Sequence, residues 1–236
     1  MPRLLIIKTG DAFPEVVRGH GDFESLFQQV LGQAGFTATV FDPRQGSPLP
    51  DQADIDGLYI TGSHSMVSER EPWSEALKPW LRDARANNVP MLGVCYGHQL
   101  MAAAFGGVSD FHPAGRESGT HQVTLTDAGQ SDALLGTLPQ RFPAQLTHAQ
   151  SVLEVPSDVV VLAYNAHDPH QALRYGPRQW SVQFHPEFTT PVMRAYLERQ
   201  REALREIGHD PQTLIENVIT TPDASSLLVT FAKQTA

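Results

Sequence analysis

The stretch VPMLGVCYGHQLMAAAF, residues 89–105, reads as a buried strand that turns sharply into an apolar helix. Residues 89–94 form the near-continuous apolar run expected of a parallel strand covered on both faces. Cys95 stands at the junction, with Gly93 and Gly97 two residues away on either side. This is the G-x-nucleophile-x-G elbow written with cysteine in place of serine. Such a turn holds the nucleophile in a strained backbone conformation, and the glycines let neighbouring chain approach without Cβ clashes. The N-terminus of the following helix lowers a thiol pKa, and the Tyr96 amide is placed to meet a developing oxyanion. A lone free cysteine is most often a small buried hydrophobe; the two glycines at a strand-to-helix junction favour the chemical reading.

Outward from this segment, strands and helices alternate. RLLIIK (3–8) is a buried strand, and a helix capped by Asp22 carries Phe23, Leu26, Phe27, Val30, Leu31 and Ala34 on one face and stops at Gly35. Strands follow at 36–41 and 57–61, then a helix over 74–87 that kinks or restarts at Pro79. The pattern predicts βαβ units: an α/β, doubly wound, mostly parallel central sheet with helices on both faces and ligands at the carboxyl ends of the strands. Beyond Gly107 the segments 121–126, 159–164 and 179–184 alternate or are short and apolar between turn-rich stretches, so extra mixed or antiparallel strands are expected there. A helix opens at Thr190-Pro191 with Met193, Tyr196, Leu197 and Leu204 on one face, and weaker helical signals follow near Leu214 and over 225–231. One domain over 1–236 is expected, with a core over about 1–205 and terminal helices after it.

Composition excludes several classes. The 17 Lys and Arg against 26 Asp and Glu give a net charge of −9, which argues against non-specific nucleic-acid binding. No apolar run reaches about 18 residues and no basic leader precedes an apolar region, so neither a membrane span nor a secretory signal is expected. A single cysteine among 236 residues forms no intramolecular disulfide, and a cytoplasmic, reducing location is the simpler expectation.

A cysteine nucleophile needs a base, and the base needs an orienter. Of ten histidines, His185 in VQFHPEF (182–188) ends a strand-like run two residues before Glu187. In extended chain residues i and i+2 share a face, so Glu187 is able to orient the imidazole. A surface HPE turn is the plainer alternative. Half a metal site is another, with His167 and His170 as the other half, although no third ligand stands at a recognisable spacing.

With GVCYGHQL and QFHPEF both present and in this order, the chain resembles the class I (triad) glutamine amidotransferases, in particular stand-alone proteins similar to the amidotransferase domain of GMP synthetase. Ile60-Thr61-Gly62-Ser63 falls where that family places its oxyanion loop, Gly115-Arg116-Glu117 with Gly119 resembles a segment before the mid-chain strand, and Thr147-His148 matches a substrate-side histidine. The resemblance implies a flavodoxin-like fold and a catalytic triad of Cys95, His185 and Glu187. It implies an oxyanion hole from the Tyr96 amide and either Gly62 or Ser63, with His64 lining the pocket or capping the loop. Gln99 and the adjacent His98 are implied on the substrate side, as is Gln150, where relatives of this kind carry an aspartate.

The implied reaction is attack of the Cys95 thiolate on a glutamine side-chain amide, loss of ammonia with a proton from His185, and hydrolysis of the γ-glutamyl thioester. No cofactor and no metal are implied. FGGVSD (105–110) superficially resembles a nucleotide loop but ends the nucleophile helix, so no ATP site is expected. The expected partners are glutamine or a γ-glutamyl compound and, for an amidotransferase, a separate ammonia-accepting synthetase subunit. Two other readings stand beside it: a γ-glutamyl peptidase or hydrolase using the same triad, and a non-catalytic regulatory subunit, against which the intact triad residues argue.

Overall fold

The computed structural model describes residues 1–235. Its first half is built from β1 (Leu4–Ile7), α1 (Pro14–His20), α2 (Phe23–Gln33), β2 (Ala38–Phe41), β3 (Gly57–Ile60), α3 (Pro72–Ala86), β4 (Met91–Val94) and α4 (Tyr96–Ala104). The rest comprises β5 (Val108–Phe111), β6 (Glu117–Leu125), α5 (Asp127–Gln130), β7 (Arg141–His148), β8 (Gln150–Glu154), β9 (Val160–Tyr164), β10 (Ala172–Gly176), β11 (Gln179–Val182), α6 (Thr190–Arg199), α7 (Arg201–Glu206), α8 (Pro211–Glu216) and α9 (Pro222–Gln234).

Nine strands form one sheet in the order β2-β1-β3-β4-β11-β10-β9-β6-β7, and β5 pairs with β8 separately. From β2 to β11 every neighbour is parallel; from β11 to β7 every neighbour is antiparallel. The central strands β1, β3, β4 and β11 are buried along their whole length, which explains the unbroken apolar or small-residue character of the first three; in β11 the buried Gln179 is satisfied by Asn88 and the Val89 carbonyl. One apolar cluster joins α2 and α9 to the sheet: Tyr59 donates to the Leu228 carbonyl at 2.7 Å, and Phe231 packs edge-on against both Tyr59 and Trp180. A second joins α3 and α4 to the other face through Leu77, Leu81, Leu100 and Met101.

Several boundaries differ from the sequence expectations for physical reasons. Helix α3 begins at Pro72 rather than at 74 and runs through Pro79 without restarting. Both Pro79 and Glu75, four residues earlier, are exposed, so water reaches the carbonyl that proline leaves unpaired. The helix opened by Thr190 ends at Arg199, and Leu204 belongs to a separate short helix. Strand β7 contains Pro143, which reads as a breaker; it is tolerated because β7 is an edge strand. The glycine-rich residues after α4 lead into the strand β5, which the sequence pattern does not announce.

Candidate active site

The elbow forms as the spacing requires. Cys95 is the N-cap of α4, with φ +52° and ψ −101°, a left-handed conformation that costs a non-glycine residue on the order of 1–3 kcal/mol. A Cβ on Gly93 would lie 2.7 Å from the Gly97 carbonyl oxygen, and one on Gly97 would lie 2.5 Å from the Ile60 carbonyl oxygen. Only glycine at both positions lets α4 start this close to the strand it follows.

Strand order then assembles the rest. β3, β4 and β11 are adjacent and parallel, so the residues after their last positions meet at one edge: Gly62 after β3, Cys95 after β4 and His185 after β11. The Cys95 amide donates to the Val182 carbonyl at 2.9 Å, and the His185 amide donates to the Gln145 carbonyl at 2.8 Å. The imidazole stacks on Phe188 with centroids 4.1 Å apart, and the Phe23 ring lies nearly parallel to it at 6.2 Å. His185 Nδ1 is 2.7 Å from Glu187 Oε1, and both side chains are buried.

Burial alone would push the His185 imidazole down. The negative charge of Glu187, and next the Cys95 thiolate beside it, override that and hold it up at about 10. His185 therefore keeps its proton at neutral pH, directly beside the Cys95 sulfur. A thiolate beside an imidazolium that a carboxylate orients is the arrangement from which a sulfur nucleophile attacks an acyl carbon.

The amides of Gly62, Ser63 and Tyr96 donate to no acceptor among the described residues, whereas the Cys95 amide is already engaged. A Cβ on Gly62 would meet His185 Cε1 at 2.9 Å and Cys95 Cβ at 3.6 Å, so the β3 loop runs directly against the thiol and the imidazole. Tyr96 contributes no side chain to this edge; its hydroxyl donates to Ser74 Oγ at 2.7 Å, on the α3 side of the helix.

A cavity of about 160 Å³ opens over Cys95, and Ser63, Gln99, His148, Gln150 and His185 line it. His64 lines it too, packed on Phe13 at 4.2 Å and within 3.3 Å of the Tyr196 hydroxyl; burial first, and then the positive charges of Arg116 and His185, lower it to about 4, so it is neutral. Gln99 Nε2 donates to the Gln150 carbonyl at 2.6 Å, and His148 donates to the same carbonyl through Nδ1 at 2.9 Å. Behind His148 the buried Glu117 accepts from His148 Nε2 at 2.9 Å, Asn165 at 2.6 Å and Gln171 at 3.0 Å. The Gln150 side chain is held by Ser68, in the loop between β3 and α3.

His98 is placed elsewhere. It is fully buried on the opposite side of α4, its Nδ1 2.7 Å from Ser181 Oγ, and it does not line the cavity. Its adjacency to the nucleophile in sequence becomes a turn of about 100° per residue in a helix. His167 and His170 bond to the Gly115 and Val152 carbonyls, away from His185, and no group of three or more potential ligands among the described residues is placed to hold a metal ion.

The structure also brings in residues given no role from sequence: Phe13, Arg116, Tyr196 and Gln200 on one wall of the cavity, and Glu117 behind it. Phe13, Tyr196 and Gln200 sit in segments with no local motif. Arg116 and Glu117 are visible in the sequence only as part of a family-like segment. A larger open depression of about 840 Å³ at the other end of the strands, lined by Trp80, Asp83 and Arg178, contains none of these groups.

The sequence model of the class-I glutamine amidotransferase family matches residues 19–202. Over 200 residues the chain is 26% identical to gamma-glutamyl peptidase 5 of Arabidopsis thaliana, covering 83% of this chain and 79% of that one. It is 30% identical to a subunit of the glutamine-hydrolyzing GMP synthase of Methanopyrus kandleri, over 73% of this chain and 87% of that one. A solved glutamine amidotransferase from Thermotoga maritima superposes with a TM-score of 0.80 at 17% identity, covering 100% of this chain and 98% of that one, which shows the shared fold. A match over residues 19–202, which include Gly62, Cys95 and His185, places this chain in the class-I glutamine amidotransferase family.

Proposed function

We propose that the protein hydrolyses the γ-amide of glutamine or of a γ-glutamyl compound through a cysteine thioester. Cys95 is the nucleophile, His185 the acid and base, and Glu187 the group that orients and charges His185. The observation that carries this reading is the convergence, at one sheet edge, of a strained Cys95 with a His185 whose other nitrogen is 2.7 Å from Glu187.

In this mechanism the thiolate attacks the γ-carbonyl carbon, and the oxyanion is met by the Tyr96 amide and by an amide of the Gly62-Ser63 turn. Collapse breaks the C–N bond while His185 gives its proton to the departing amine. The neutral imidazole then takes a proton from water, hydroxide attacks the thioester, and glutamate leaves. Gln99, His148 and Gln150 form the wall that receives the glutamyl group, with Glu117 fixing His148 from behind.

For the amidotransferase reading, the amine is ammonia and a separate synthetase subunit receives it, as the naming of the Methanopyrus relative for one part of a synthase suggests. A second reading, hydrolysis of a γ-glutamyl conjugate, is favoured by one feature: Phe13, Arg116 and Gln200 line both the cavity and an outer groove of about 740 Å³, which gives room for a leaving group larger than ammonia. Glutamate release from L-glutamine and from a panel of γ-glutamyl amides, by the purified chain and by Cys95→Ala, tests both. Silence of the wild type across the panel, or turnover by the variant, would overturn the proposal.

A further inference from the structure

Among the described residues lining the cavity over Cys95, one cation has no carboxylate partner. His185 is matched by Glu187, His148 by Glu117, and His64 is uncharged. Arg116 is partly buried and has only neutral partners: its Nη1 donates to Thr147 Oγ1 at 3.2 Å and to Gln200 Oε1 at 3.4 Å. Burial disfavours its charge, and the only charged group that favours it is Cys95. A guanidinium kept part-buried without a carboxylate is costly for an empty protein and suited to a ligand that brings one.

Its place in the cavity indicates which carboxylate. A departing amine must sit where His185 gives it a proton, on the side walled by Phe23, Phe13 and Tyr196. Phe13, Arg116 and Gln200 belong to this wall and also to the outer groove of about 740 Å³ that runs along α7. Arg116 thus stands at the neck where a leaving group longer than ammonia would pass. In the mechanism proposed above, the glutamyl group is received by Gln99, His148 and Gln150, which leaves Arg116 for the departing amine. With no aspartate or glutamate among the described residues lining the cavity, no acidic side chain there competes with a ligand carboxylate for Arg116.

We infer that Arg116 is a specificity-determining residue that binds a carboxylate on the leaving amine, so that the preferred substrate is a γ-glutamyl amino acid or peptide, hydrolysed to glutamate and the free amino acid or peptide. This rests on thioester hydrolysis at Cys95 as proposed above. The reaction consumes one water, breaks the γ-glutamyl C–N bond, and needs no other reactant.

The test compares kcat/KM for γ-glutamylglycine and γ-glutamylglycinamide, which differ only in that carboxylate, with L-glutamine beside them. Wild type is expected to prefer the glycine conjugate by about ten- to a hundredfold, the effect of a hydrogen-bonded charge. Arg116→Gln should bring the ratio close to one and Arg116→Lys should retain part of it, with thermal unfolding checking that each variant is folded. Equal use of the pair by wild type overturns the inference whether or not the variants fold. So does a preference that survives Arg116→Gln, or an equal loss on all three substrates, which would mean that Arg116 holds the α-carboxylate common to them. Failure of the underlying reading looks different: no γ-glutamyl compound is turned over, or turnover persists in Cys95→Ala.

Discussion

The Cys95 amide donates to the Val182 carbonyl at 2.9 Å, although the two residues are 87 positions apart. This bond extends the parallel pairing of β4 with β11 by one residue beyond Val94, and it fixes how far the thiol lies from the histidine that follows three positions after Val182. The site is therefore a property of strand order: β11 must enter the sheet beside β4, on the side away from β3, for Gly62, Cys95 and His185 to meet.

The carboxylate at Glu187 should control the pH profile. His185 is held at about 10 in the free enzyme by a charge that opposes the effect of burial, so kcat/KM should stay level through neutral pH and fall only as the imidazolium loses its proton near that value. Glu187→Gln removes the raising charge, so the basic limb should move down by about one to three pH units, with kcat at neutral pH lower by about 10²- to 10⁴-fold. A pH–rate profile of both proteins checks this; an unmoved basic limb would show that Glu187 does not set the charge of His185.

Gly62 should tolerate no side chain. A Cβ there would be 2.9 Å from His185 Cε1, so Gly62→Ala must displace either the imidazole or the turn that presents the free amides. A shift of about 1 Å at the reacting groups costs on the order of 10²-fold. Steady-state kinetics with a thermal melt should show that loss in kcat with little change in Tm.

Gly97→Ala should instead act on stability. Its Cβ would be 2.5 Å from the Ile60 carbonyl oxygen, a backbone atom that is held in the sheet. Overpacking of this kind costs about 1–3 kcal/mol, to be read from the urea midpoint at unchanged m-value.

Glu117 is a positioning residue with a stability signature. It accepts from His148, Asn165 and Gln171, and Glu117→Ala would leave three donors without their acceptor at a cost of about 3–5 kcal/mol. Burial pushes its carboxyl up, but the hydrogen bond from His148 and the charges nearby outweigh that and hold it below the usual range. Its contribution is therefore full above the ordinary carboxylate pKa and is lost as pH falls through the lower native value. Denaturation midpoints across the acid range, compared with Glu117→Gln, test the direction.

Much of this is legible in the sequence because it is local. The apolar runs 3–8, 57–61 and 89–94 and the two glycines around Cys95 each declare a buried strand or an elbow without help from distant residues. His185 and Glu187 do meet, but across a turn at Pro186-Glu187, in which the Phe188 amide donates to the His185 carbonyl at 3.3 Å, rather than in the extended chain the spacing suggests. The wall opposite Gln99 is not legible: Phe13 precedes α1, Tyr196 lies in α6 and Gln200 joins α6 to α7, and only the fold brings them together. Proline in β7 hides a strand because edge position is a tertiary fact. His98 misleads for the converse reason, since neighbours in a helix point in different directions.

The central claim is covalent catalysis at Cys95, and the direct measurement is the intact mass of the protein quenched in acid during turnover of its best γ-glutamyl substrate, followed by peptide mapping. The account predicts an adduct of one glutamyl residue on the peptide containing Cys95, discharged by hydroxylamine, and absent along with all turnover in Cys95→Ala. Continued glutamate release by Cys95→Ala, or wild-type turnover in which an adduct forms on a residue other than Cys95, would contradict it.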